Sequence, residues 1–141
     1  MCTNHRTYAK IGMMAGEQQL KPLEWVGSSL DDLRSFPEEV RDEMGFALYQ
    51  AQRGTKHDSA KPLKGFKGAG VLEVVESYDG NAYRTVYTMR FRSAVYVLHA
   101  FQKKSKRGIK TPKEELELVE KRLKKAAEHY EVYYAHQDPK N

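Results

Sequence analysis

Apolar residues recur along this chain at two spacings, and the places where the spacing changes divide it into elements. Leu20 to Val26 (LKPLEWV) is a short apolar-rich run that stops at Gly27, as a first strand would, with Pro22 at its start or on an edge. Helical signals follow. Ser28 and Ser29 can cap a short helix carrying Leu30 and Leu33, with Asp31 and Asp32 in the first turn, where the helix dipole favours negative charge. Ser35 and Glu38 have capping-box spacing with Pro37 between them. Val40, Met44, Ala47, Leu48 and Ala51 then recur on one helical face. Gly54 ends that pattern. Thr55 to Gly70 (TKHDSAKPLKGFKGAG) is a connection without periodicity, and its length predicts a working loop.

Beyond it the period changes to that of strands. Val71 to Tyr78 (VLEVVESY) and Ala82 to Phe91 (AYRTVYTMRF) are rich in β-branched and aromatic residues and are separated by Asp79, Gly80 and Asn81, which predicts a hairpin. A tight connection at Arg92 and Ser93 leads into Ala94 to Phe101 (AVYVLHAF), whose near-continuous apolarity fits a central strand buried on both faces. After a basic stretch, Gln102 to Lys110, the residues Thr111, Pro112 and Glu114 mark a helix start. Leu116, Val119, Leu123, Ala126 and Tyr130 form its apolar stripe. The expected order is β-α-α-β-β-β-α. This is an α+β fold, a largely antiparallel sheet with the helices packed on one side. Residues 1–19 read as a mobile extension, 20–134 as the domain and 135–141 as a tail.

Composition narrows the function more by exclusion than by indication. The chain has 141 residues, 40% hydrophobic and 30% charged, which suits one ordinary globular domain. No run reaches the roughly 18 to 20 apolar residues of a membrane span, and no apolar leader is visible, so a cytoplasmic protein without membrane contact is expected. Cys2 is the single cysteine, and His5, His57, His99, His129 and His136 show no metal-ligand spacing, so no metal or other cofactor is expected. A net charge of +5 favours an anionic partner, and its meaning depends on where the cations fall.

The element order, the stretch LKPLEWVGSSLDDLRSFPEEV, the run Lys61 to Gly65, Leu72-Glu73, Tyr83-Arg84, and LHAFQKKS followed by Thr111-Pro112 together resemble the phage-related Gp49-like toxins. These are relatives of HigB within the RelE/ParE superfamily. The resemblance covers about Leu20 to Tyr130. It implies a compact RelE-like domain acting as the toxin of a type II toxin–antitoxin system. Such a toxin is a metal-independent endoribonuclease that cuts mRNA on the ribosome, inhibits translation and is silenced by a cognate antitoxin from a neighbouring gene. The superfamily also contains ParE-type gyrase poisons, and a non-catalytic phage accessory module binding RNA or protein is a third reading. Two departures bear on activity. Many HigB-type toxins carry Glu-Leu-Arg where this chain has Glu73-Val74-Val75, and the stretch from Lys104 to Thr111 is longer than in many relatives.

Metal-free RNA cleavage by the 2′-OH needs a proton acceptor, a stabiliser for the charge developing at phosphorus and a proton for the 5′-oxygen. Strand alternation puts Tyr83, Tyr87, Met89 and Phe91 on one face and Arg84, Val86, Thr88 and Arg90 on the other. If the first set is core, Arg84 and Arg90 point to an open face. Arg84 could hold a phosphate there or pair across strands with Glu73 or Glu76. The resemblance at Tyr83-Arg84 and Lys103-Lys104 makes Arg84, Lys103 and Lys104 the candidate catalytic residues. Lys106, Arg107, Lys110, Lys64, Arg90 and Tyr78 are candidate RNA contacts, with solvated surface as the plain alternative. Lys56, Lys61 and Lys67 could widen the basic surface. His99 could act as a base, but its apolar strand favours a core histidine, and Tyr83, Tyr87 and Trp25 read as packing.

Overall fold

The computed structural model describes residues 20–66, 68–103 and 112–138. The expected mobile extension, residues 1–19, lies outside them. Strand β1 (Leu23–Trp25) is followed by helices α1 (Ser29–Arg34) and α2 (Glu38–Gln52). Next come β2 (Lys61–Pro62), the meander β3 (Val71–Tyr78), β4 (Asn81–Thr88) and β5 (Val95–Lys103), and helix α3 (Lys113–Tyr133). A 3-10 turn, Ala135–Gln137, follows α3. The five strands form one sheet in the order β1-β5-β4-β3-β2. All neighbours are antiparallel except β1 with β5, where Leu23 to Trp25 run parallel to Val95 to Val97. The α+β class and the element order are therefore as expected, with β2 added inside the long connection.

Each boundary has a local cause. Asp79 and Gly80 take positive φ (53° and 80°) between the paired Tyr78 and Asn81, the two-residue turn that matches strand twist. The expected capping box does not form. Ser35 closes α1 instead, its hydroxyl donating to the Asp32 carbonyl at 2.7 Å, and Pro37 occupies the N-cap of α2. The carbonyl of Pro37 still accepts from Arg41, so α2 starts cleanly without a side-chain cap.

One expectation about the layers is corrected. The helices do not all lie on one side of the sheet. Val40, Met44 and Leu48 of α2, with Leu33 and Phe36, pack on the face formed by Val74, Tyr83, Tyr87, Val95 and Val97. Val119, Ala126 and Tyr130 of α3 pack on the opposite face, against Val71, Val86, Tyr96 and Leu98. The physical reason lies in β5: a strand apolar on both faces needs cover on both.

The ladder between β4 and β5 carries one irregularity. Val86 pairs with His99 and Tyr87 with Val97, which leaves Leu98 as the extra residue of a β-bulge. Without the bulge, alternation would send His99 to the side of Val95 and Val97. With it, His99 joins Val86 on the α3 face.

Candidate functional site

The α3 face of the sheet is not open at β4, contrary to the alternation argument. Val86 and Thr88 are fully buried and Arg84 is 4% exposed. The Arg84 guanidinium donates through Nη1 to Oε1 of Glu73 at 2.8 Å, one strand over. That is the cross-strand pairing weighed against phosphate binding, formed in the interior and not on the surface. Glu73 lies opposite Val86, so β3 and β4 hold both charges on one face, and removing Arg84 takes this ion pair from a buried carboxylate.

Of the other candidates, Lys103 pairs with Ala82 at the far end of the β4–β5 ladder, two residues along from Arg84. Lys104, Lys106, Arg107 and Lys110 lie outside the described residues, as does Lys67. Lys64 is exposed in the connection after β2. Arg90 is exposed, and its guanidinium sits 5.3 Å from the Phe91 ring centre, while its backbone N–H donates to the Thr88 hydroxyl. Tyr78 is exposed beside the hairpin turn, and Glu39 next to it raises the pKa of its phenol. Tyr78 therefore borders a carboxylate on the α2 side of the sheet and does not join Arg84.

A pair not expected from the sequence lies on the same sheet face as Arg84. Nε2 of His99 and Oε1 of Glu115, in the first turn of α3, are 2.5 Å apart. The His99 ring stacks on Phe101 with centroids 4.7 Å apart, and Phe101 is the ladder partner of Arg84. His99 and Glu115 line a pocket of about 450 Å³ together with Tyr83, Gln102, Phe36 and Asp32. Glu115 had no signal beyond a helix-start acid, and the bulge that aims His99 at it leaves no trace in hydrophobic spacing. Among the described residues no group of His, Cys, Asp and Glu is placed to hold a metal ion, and no helix is long and apolar enough to cross a membrane.

The geometry defines a class: an α+β domain in which a polar row, Glu73, Arg84, His99 and Glu115, crosses one sheet face and ends at a pocket. The family model described as "Phage derived protein Gp49-like" matches residues 31–124, and the chain belongs to that family. This bears out the family resemblance read from the residues. Among solved structures, the chain is similar to the E. coli toxin RelE, determined as a mutant in the free state. Identity is 17% and the TM-score 0.48, over 76% of this chain and 98% of that one. No curated protein matches.

Proposed function

We propose that this protein is the toxin of a type II toxin–antitoxin system and that it cuts mRNA on the ribosome, thereby stopping translation. Its partners on this reading are the ribosome, the mRNA and a cognate antitoxin from a neighbouring gene. The observation that carries the proposal is the match of the Gp49-like family over residues 31–124. The placement of Arg84 and Lys103 on adjacent strands, where the basic run Lys103 to Lys110 leaves β5, supports it.

Of the candidates Arg84, Lys103 and Lys104, Arg84 is assigned to the reaction and the two lysines to contact with RNA phosphate, and the two roles need different tests. At 4% exposure Arg84 meets phosphate only if Glu73 gives way. Arg84→Ala alone would strand Glu73 at a cost of about 3–5 kcal/mol, so loss of toxicity would not distinguish chemistry from unfolding. The informative variant is Arg84→Met combined with Glu73→Leu, which removes both charges. If Arg84 serves the reaction, this variant folds yet cuts roughly a hundred- to thousandfold more slowly, as when a positioned donor is lost.

The first experiment is induction of the wild-type chain without antitoxin, with mRNA ends mapped by primer extension. New ends within translated frames are expected. Intact mRNA with accumulating DNA breaks would move the chain to the gyrase-poison class. Ribosome binding without cleavage would make it a non-catalytic RNA-binding module.

A further inference from the structure

β1 covers β5 only as far as Val97, so among the described residues the outer edge of β5 from His99 onward carries no strand. The pocket of about 450 Å³ opens at this edge, between the α1–α2 junction and the first turn of α3. Its volume falls within the range that takes a nucleotide-sized ligand. The His99–Glu115 pair forms part of its wall. His99 is 6% exposed, and its Nδ1 makes no hydrogen bond to any described residue. The Glu115 side chain keeps 32% of its surface exposed, so the carboxylate is the member a ligand can touch.

Packing alone does not explain this arrangement. His99 is buried and stacked on Phe101, so it sits as a polar ring against apolar neighbours. An apolar pair of similar volume would serve stability as well or better, because a half-satisfied buried imidazole keeps a desolvation penalty. A bulge interrupts the central ladder at the position that turns His99 toward α3, and bulges of this kind re-aim side chains beside active sites. With its Nε2 donating to Oε1, His99 would fix the orientation of the Glu115 carboxylate at the pocket wall.

We propose that Glu115 is the general base of RNA cleavage and that His99 is its positioning residue, an assignment that rests on the ribonuclease reading. The Glu115 carboxylate accepts the proton of the RNA 2′-OH as the 2′-oxygen bonds to phosphorus. The bond from phosphorus to the 5′-oxygen breaks, that oxygen takes a proton from a water molecule, and the hydroxide so formed takes the proton held by Glu115, which returns to the carboxylate as water is restored. The products are a 2′,3′-cyclic phosphate and a 5′-hydroxyl, with no change of oxidation state.

The test is single-turnover cleavage by the full chain on programmed ribosomes, with folding checked by circular dichroism and ribosome association measured separately. Glu115→Gln keeps the shape and a hydrogen-bonding group for His99, so a structural pair would tolerate it. On the proposal the rate at saturating toxin falls by about 10²–10⁴ while the half-saturating concentration stays constant. Glu115→Asp, which retains a carboxylate, recovers part of the loss. His99→Gln slows cleavage by about a hundredfold through misplacement of the carboxylate, again without weaker association. Cleavage by folded Glu115→Gln at the wild-type rate overturns the assignment and leaves the ribonuclease reading standing. Should Glu115→Gln not fold, His99→Phe combined with Glu115→Leu replaces the pair by apolar groups. That variant is expected to fold and not to cut, and wild-type cleavage by it likewise overturns the assignment. If the wild-type chain itself binds ribosomes and never cuts, the ribonuclease reading fails and this proposal fails with it.

Discussion

Tyr87, next to last in β4, has no exposed surface, and its hydroxyl meets no hydrogen-bonding partner among the described residues. Burial pushes its phenol up from 10.0 to about 12. Between those values the unfolded chain releases the phenolic proton while the folded chain keeps it. The folded state then binds more protons, and stability falls as pH rises through this window. Tyr87→Phe deletes an unsatisfied buried hydroxyl and is expected to gain about 1 kcal/mol at neutral pH. It should also lose less stability than wild type between neutral and strongly alkaline pH. Urea denaturation at pH 7 and pH 11 checks both, and a clearly less stable variant at pH 7 would mean that the hydroxyl has a partner. Arg84 is the opposite case, a buried polar group made tolerable by Glu73, so the same deletion there carries a cost.

At the scale of elements, α3 is tied to the sheet edge by Arg122. Its Nη1 donates to the Leu98 carbonyl at 3.0 Å, the bulge residue, and its Nη2 reaches the Ser28 hydroxyl at 3.3 Å. Gly27 leaves room for this. Its φ is +59°, and a Cβ there would come within 2.7 Å of the Arg122 guanidinium carbon. Arg122→Ala is therefore expected to cost about 1.5–3 kcal/mol, the worth of hydrogen bonds from a charged donor. Amide exchange should rise first in α3 and at Leu98. Uniform loss across the sheet, with α3 no more affected than β3, would show that Arg122 does not anchor the helix. How far these features were legible follows from their range. β3 was readable to the residue, because alternation and the Asp79-Gly80 turn are local signals. The two residues of β2 are too few to show a period, and they pair only because Glu73 and Leu72 lie opposite. The placement of α3 followed from β5 being apolar on both faces, information that was present but assigned to the wrong layer. The bulge at Leu98 depends on how two strands twist together, so the meeting of His99 with Glu115 could not be read from either segment alone.

At the scale of the whole molecule, charge is unevenly distributed along the chain. The net charge is +5, yet the pocket wall carries the carboxylates Asp32 and Glu115. The cations that could meet phosphate gather in the sequence between Lys103 and Lys110, with no acid among them. This division fits a substrate held through its backbone by the basic run while a carboxylate acts on one sugar hydroxyl. It also makes binding and cleavage separable. Lys103→Ala with Lys104→Ala should weaken ribosome association and flatten its dependence on salt. For single-stranded RNA each lost phosphate contact lowers the slope of log affinity against log salt by about 0.7, so the pair is expected to lower it by roughly 1.4. At low salt and saturating concentration the variant should cut at nearly the wild-type rate, because neither lysine is the proton acceptor on this account. Association measured between about 50 and 200 mM salt, alongside single-turnover rates at the lowest salt, separates the two effects. An unchanged salt slope combined with a large loss of rate at saturation would assign the lysines to the chemical step and remove the basic run from the binding surface.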